Sequence, residues 1–346
     1  MQRRLHSERG KKQEPSVGAL KAVRAGAPAP RAHNERVRQR APIPGEPSRE
    51  SSADLLLLVA VSLWAANFAV VKFGVSEFNP LAFPVLRFGV GGLAMMAIVW
   101  WREGSLRVAR SDLPLLVATA VLGITLNQIC FVYSLTNTSA SDVALLGATG
   151  PIVTALLATA VGLERLGKRH WLSVALGLVG VVLIVGGSAN GGLGGSSLLG
   201  AGLALGATFC SSASALPIRP LMQRYSAWRI LAFEMVVGSL FLLPVSLPSL
   251  VGQDFGRVTL AGWGSLAYAV VLTGVVTNLL YFTAIERVGP SRAAVFGYLQ
   301  SFLGVLFAVA LLGERVAPIQ IAGGLVVIAS VVLSRAHTGS APRLAQ

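Results

Sequence analysis

Charge is scarce in this sequence. Asp, Glu, Lys and Arg make up 13% of its 346 residues, about half of what a soluble domain carries. That scarcity excludes an ordinary soluble fold, because long stretches have no polar face to turn toward water. Cysteine is limited to Cys130 and Cys210, each inside an apolar run, where a thiol behaves as a small hydrophobe. The four histidines, His6, His33, His170 and His337, fall in tails or loops, and neither H-x-x-x-H nor C-x-x-C occurs. No metal site or histidine-centred catalytic group is therefore expected. The glycine-rich stretch SANGGLGGS at 188–196 has no lysine, so it does not read as a phosphate-cradling loop. An enzyme, a cofactor and an ATP motor all drop out of the expected functions.

What the sequence has instead is apolar length. Hydrophobic residues are 53% of the chain, and mean hydropathy is +0.67. They fall in runs of about 20 residues, the length of helix that crosses about 30 Å of hydrocarbon. Inside lipid the backbone must satisfy itself, so these runs are helices. Ten spans are read, at 55–75, 82–101, 113–133, 140–162, 171–188, 198–217, 228–248, 262–285, 291–312 and 318–335. Short loops between them predict that sequence neighbours are antiparallel neighbours in space.

The net charge of +14 is unevenly spread. Met1–Ala53 holds 12 Lys or Arg against 5 Glu, a net of +7, in a Pro/Ala/Arg-rich stretch. This composition predicts a disordered basic tail, residues 1–53, held near anionic lipid rather than nucleic acid. With that tail in the cytoplasm, eleven Lys or Arg fall in inner loops and two, Arg257 and Arg315, in outer loops. The bias places both termini inside, including a short tail at 336–346. Five of the six tryptophans mark span ends (Trp100, Trp101, Trp171, Trp228 and Trp263), whereas Trp64 lies well inside its span.

The chain repeats itself. An offset of 150 aligns Ser141 with Ser291, Gly147 with Gly297, and the Glu164-Arg165 pair with Glu314-Arg315. An offset of 147 aligns Ala175-x-Gly177-Leu178-Val179 with Ala322-x-Gly324-Leu325-Val326. The repeats occupy 54–188 and 189–335, five spans each. An odd number of spans sends the second copy in from the opposite face, the architecture of many secondary carriers.

The runs TSASDVALLGATGPIVTALLATAVGLERL and SRAAVFGYLQSFLGVLFAVALLGERV, with LWAANFAVVKFG and PVLRF before them, resemble the EamA-type repeat of the drug/metabolite transporter superfamily. The resemblance covers roughly 54–335. It implies an all-helical membrane protein of ten helices around a central cavity, in a bacterial-type inner membrane. It also implies transport of a small metabolite, amino acid or drug-like solute, with export favoured over uptake or exchange. A non-transporting membrane subunit or receptor is the alternative from another class. Pro151 fits the family's usual proline, but Ser301 stands in the equivalent place, so the two halves need not bend alike.

Ionisable groups inside spans are the sharpest candidates, because each costs about 2.5–3.5 kcal/mol near a helix centre. Lys72 and Arg87 read either as snorkelling cations, with Glu77 as a partner, or as an outer pair receiving a carboxylate or phosphate. Glu234 reads either as the partner of Arg229 or Arg219, or as a protonatable coupling group. Arg87 and Glu234 are equivalent at an offset of 147, but inversion separates them in depth by on the order of 14 Å. Ser139-x-x-Asp142 reads as a capping box, and Glu164 and Glu314 as local stabilisers. Among uncharged groups, Trp64 and Asn67, Gln128, Asn278 and Tyr281, and Tyr298 and Gln300 are candidates for lining a wet cavity, against a role as interhelical glue. Gly89, Gly92, Gly202 and Gly206 are expected to permit close packing. The partners implied are a small solute, membrane lipid, and a proton or counter-solute for coupling.

Overall fold

The computed structural model describes residues 49–162, 168–189, 198–288 and 290–335. The basic tail at 1–48, Glu164, the core of the 188–196 connection and the C-terminal tail lie outside them. The described residues form thirteen α-helices: α1 (Arg49–Glu77), α2 (Ala82–Glu103), α3 (Leu113–Ala120), α4 (Asn127–Asn137), α5 (Ala140–Gly147), α6 (Gly150–Ala160), α7 (Lys168–Ala189), α8 (Leu198–Leu221), α9 (Ala227–Val251), α10 (Leu260–Ala267), α11 (Thr277–Val288), α12 (Pro290–Leu312) and α13 (Pro318–Arg335). Starts are set by local chemistry. Ser139, Ser226 and Thr259 each accept a hydrogen bond from the backbone N–H three residues on, satisfying a donor that the first helical turn leaves free.

α3 and α4 are joined through a π-helical segment, Val121–Leu126, and α10 and α11 through a second, Tyr268–Val276. Each pair therefore runs as one long rod. Among the described residues, six rods or single helices are long and apolar enough to cross a membrane. Trp171–Gly187, Leu299–Leu312 and Pro318–Leu333 are shorter apolar helices. Large apolar side chains such as Leu93, Val182, Leu240, Phe302 and Leu325 are more than half exposed, as a lipid-facing surface requires.

The fourth expected span is not one helix. α5 and α6 meet at a 43° bend, beside Pro151, which has no N–H to donate back and whose ring crowds the carbonyl four residues earlier. Thr149 Oγ1 donates to Leu146 O at 2.7 Å, across the break. α12, with Ser301 in the equivalent place, is continuous. The halves indeed bend differently, and the proline is the cause.

Packing corrects the expectation that sequence neighbours pair. The most extensive helix contacts join the two halves: α7 with α13, α2 with α9, and α1 with α12. The pattern maps onto itself when the halves are exchanged. α1 packs on α11 and α12, and its counterpart α8 packs on α4 and α6; α2 touches the second π segment, and α9 the first. Glycines make the closest of these contacts possible. A Cβ on Gly180 would stand 2.7 Å from Gly323 O, and one on Gly323 2.7 Å from Gly180 O. Gly92 and Gly89 similarly meet Val236 and Ser239 across α2 and α9, whereas Gly202 faces open space and Gly206 makes only ordinary contact.

Polar side chains tie the loops into two clusters at opposite ends of these helices. In one, Asn79 Nδ2 donates to Ser249 O at 2.9 Å, and the Thr259 N–H to Glu77 Oε2 at 3.0 Å. In the other, Arg229 reaches Glu103 Oε2 at 2.6 Å and Arg224 reaches Asp112 Oδ1 at 2.7 Å.

Candidate solute cavity

A cavity of about 260 Å³ lies between α1, α2, α4, the α5–α6 bend and α8. Asn67, Arg87 and Gln128 line it with Phe68, Phe131, Thr208 and Ser212. Sequence reading singled out the first three, which come from three different helices. The apolar side is a ring pair, Phe68 against Phe131 with centroids 5.9 Å apart.

Arg87 is buried at 8% exposure. Its Nη2 donates to Thr273 Oγ1 at 3.1 Å, and that hydroxyl lies 3.1 Å from Asn67 Oδ1. Its Nε has no partner. Among the described residues no carboxylate pairs with this guanidinium; the nearest counter-group of its network is a neutral hydroxyl. A buried cation left in that condition is costly until an anion reaches it. Gln128 Nε2 donates to Asn127 Oδ1 at 2.9 Å, leaving Gln128 Oε1 buried and without a partner.

The other candidates are placed elsewhere. Lys72 does not line the cavity: its Nζ donates to Thr138 O at 2.5 Å and stands 3.4 Å from Glu314 Oε1. Glu314, expected to be a local stabiliser, also accepts from the Ala140 and Ser141 N–H groups at 2.8 and 2.9 Å. It caps α5 from the far half of the chain. Asp142 sits in the capping turn as expected, and its Oδ1 accepts from Gln320 Nε2 at 2.7 Å. Asn278 turns back on its own helix, donating to Thr273 O and Gly274 O at 3.2 and 3.0 Å. Trp64 meets Tyr281 at 4.9 Å between centroids, and the contacts continue through Phe282 to Trp228. These residues form an aromatic layer rather than the cavity wall. Gln300 is half-buried in α12, and the Tyr298 side chain lies outside the described residues.

Glu234 is buried on α9 with Oε1 unpartnered. No hydrogen bond or ion pair joins it to Arg87. Of the two alternative partners, Arg229 is taken by Glu103, and the Arg219 side chain lies outside the described residues.

Sequence reading missed Thr273, Asn127, Thr208 and Ser212. Asn127 could have been found, since it is an amide adjacent to Gln128 in the same apolar run. The hydroxyls carried no such signal, because Ser and Thr bond to their own helix carbonyls at little cost.

Known proteins bear on this arrangement directly. The chain is 26% identical over 288 residues to an uncharacterized transporter of Archaeoglobus fulgidus, covering 83% of this chain and 98% of that protein. It is 25% identical to a probable terminal-alkyne amino-acid exporter of Streptantibioticus cattleyicolor, covering 83% and 95%. To the uncharacterized inner membrane transporter YedA of Escherichia coli it is 26% identical, covering 79% and 87%. A solved structure described only as a protein crystal structure superposes with a TM-score of 0.57 at 17% identity, over 82% of this chain and 96% of that one. That likeness supports the fold alone. The description "EamA-like transporter family" matches twice, over 51–186 and 198–336, so the duplication, the helical halves and the matched relatives converge: this chain belongs to the EamA-like transporter family, and is a multi-pass membrane transporter rather than an enzyme.

Proposed function

We propose that the chain is a secondary carrier that exports a small solute bearing an anionic group, and that Arg87 is the residue that receives it. The observation that carries this reading is a buried guanidinium lining the cavity between helices of both halves, with a hydroxyl but no carboxylate as its partner. An anionic solute relieves that unpaired charge as it binds. The relative named as a probable amino-acid exporter supports both the direction and the carboxylate.

The carrier works with ten spans in two inverted halves. The six long helices, the bent pair and the three shorter apolar helices correspond in order to the ten apolar runs. Inversion is supported by how the loops meet. The turn after α1 lies with the loop after α9, while its sequence counterpart, the turn after α8, lies with the loop after α2. Two halves so arranged convert an inward-open cavity into an outward-open one by exchanging conformations. Glu234, buried on an interface between the halves, is the coupling group that takes up and releases a proton. Both termini are cytoplasmic, and the tail at 1–53 stays near anionic lipid.

The test is counterflow in proteoliposomes containing the purified full chain. With no ATP, internal unlabelled solute drives uptake of the labelled form, for a panel of carboxylates, amino acids and phosphate esters. Arg87→Leu lowers exchange of the accepted solute at least about tenfold, the scale of a lost charge-assisted bond. Exchange of an anionic solute at the wild-type rate by Arg87→Leu would remove Arg87 from the site.

A further inference from the structure

We infer that Cys130 and Cys210 together form a site for one soft divalent metal ion of the mercuric kind, and that the bound ion ties the two halves together and stops exchange. The site itself is independent of the carrier reading, and only the arrest of exchange rests on it.

The site follows from how α4, in the first repeat, meets α8, in the second. These helices are held close at two points. A Cβ on Gly200 would stand 2.8 Å from Asn137 O, and Asn127 Nδ2 donates to Ala207 O at 2.8 Å. Between those points the Cys130 thiol fills the space that Gly206 leaves, its Sγ 3.5 Å from where a Cβ would be. Cys210 is four residues on from Gly206, one turn along the same face of α8. The two sulfurs are therefore neighbours, and they share a hydrogen bond. Both are free thiols, and the sequence has no other cysteine.

Packing alone does not call for sulfur here. The corresponding contact in the exchanged halves is α1 with α11. There, offsets of 147 and 150 put Leu63 in the place of Cys210 and Leu280 in the place of Cys130. Leucine meets the need for bulk in one contact, while the other gathers the only two thiols of the chain.

The setting of the pair selects its ligand. Thiolates take soft metals. Zinc wants four ligands, and among the described residues no group of three or more His, Cys, Asp or Glu could hold an ion. An ion content with two sulfurs in a line suits thiols on facing helices. Charge narrows the choice. Two thiolates on a divalent ion make a neutral bridge, whereas on a monovalent ion they leave a net charge in an apolar contact, which is costly. Arriving as its neutral dichloride, the ion trades two bonds to chloride for two bonds to sulfur. Two S–H protons and two chlorides leave, and no electron moves. The approach is through lipid. Cys130 is only half-buried, and Leu126, one turn before it, and Phe209, beside Cys210, are exposed apolar side chains. Neither thiol is among the residues lining the solute cavity, so the ion acts by bridging α4 to α8 rather than by displacing solute.

Binding is measured on the purified full chain in detergent, with mercuric chloride as the probe and 2-mercaptoethanol as competitor. The wild type should retain one ion per chain on gel filtration, with both thiols lost to a maleimide. Cys130→Ser and Cys210→Ser should each release their ion at an at least about tenfold lower competitor concentration, because a second sulfur on the same chain acts at high effective concentration. Counterflow in proteoliposomes reads the consequence. One equivalent of the ion should abolish wild-type exchange and a dithiol restore it, whereas either serine variant should keep its own untreated rate. Two ions per wild-type chain, or release from all three proteins at the same competitor concentration, overturns the site. An occupied pair with undiminished counterflow overturns the bridge between the halves. A chain that binds the ion as expected but exchanges no solute upholds the site and defeats the carrier reading, and the arrest falls with it.

Discussion

Glu234 differs from the carboxylates that lie toward the start of its helix. Glu103 has Arg229 and Ser226, and Asp112 has Arg224 and Tyr225. These charges are matched among themselves, leaving Glu234 with a buried, unpartnered oxygen and no ion pair among the described residues. A carboxyl in that position exists at low cost only while it carries a proton. If its proton is the one exchanged during transport, Glu234→Gln mimics a permanently protonated state. We expect this variant to exchange solute at near the wild-type rate when both sides are at one pH. It should lose the acceleration that an imposed pH gradient gives the wild type. A stopped-flow or filter assay across a set of gradients reads this, and a variant that still responds to the gradient would free Glu234 of the role. The residue scale also shows what the sequence discloses. Arg87, Gln128 and Glu234 stood out because an ionisable or amide group inside an apolar run must have a reason to be there. Lys72 stood out equally, but its partners Thr138 and Glu314 come from distant parts of the chain. Depth in a span was legible for it, and the identity of the group across from it was not. Thr208, Ser212 and Thr273 gave no warning at all, since each hydroxyl is at home in any helix by bonding to its own or a neighbouring carbonyl.

Helices in this protein are specified by length and pairs of helices by glycine. Apolar runs located the six long apolar helices to within a few residues, and Pro151 marked the bend between α5 and α6. The two π segments were invisible, because a wider turn shifts the hydrophobic period too little to read in a uniformly apolar stretch. Which helices pair was also hidden. In lipid there is little hydrophobic drive between helices, so association falls to van der Waals contact where small residues let backbones approach. At the α7–α13 crossing Gly180 and Gly323 meet backbone to backbone, with no flexible side chain able to yield. Gly180→Ala should therefore destabilise the fold by about 1–3 kcal/mol, the usual result of overpacking. Gly186 lies on the same helix, and a Cβ there meets nothing within 4 Å. Gly186→Ala should be neutral or stabilising, because alanine is the better helix former by about 1 kcal/mol. Thermal unfolding of the two purified variants in detergent checks the contrast. Equal losses of stability would mean that the close approach is not what holds these helices together.

At the scale of the whole molecule, the equivalence of the halves makes a sharper demand than the number of helices does. Ser76, in the last turn of α1, corresponds to Gln223 after α8, and Arg107 after α2 corresponds to Asp254 after α9, each at an offset of 147. If the halves faced the same way, each pair would share one side of the membrane. The structure associates them otherwise: the Glu77–Asn79 turn is bonded to Ser249 and Thr259, and the Arg107 loop to Arg229 and Tyr225. Ser76 therefore belongs with Asp254, and Arg107 with Gln223. The proposed orientation says which group is outside. The Arg107 and Gln223 loops carry Arg102, Arg107, Arg110, Arg224 and Arg229, whereas the loop containing Asp254 carries only Arg257, and the positive-inside rule predicts that the former face the cytoplasm. All four positions are exposed and accept cysteine in a chain whose Cys130 and Cys210 are replaced by serine or alanine. In intact cells a membrane-impermeant maleimide should label Ser76→Cys and Asp254→Cys. Arg107→Cys and Gln223→Cys should react only after the membrane is opened. The four reactions test two things separately. Reversal of all four would keep the inverted halves and overturn the orientation, because the charge bias alone would have failed. Labelling of Ser76→Cys together with Gln223→Cys would be incompatible with inversion, and the exchange of conformations between halves would lose its basis.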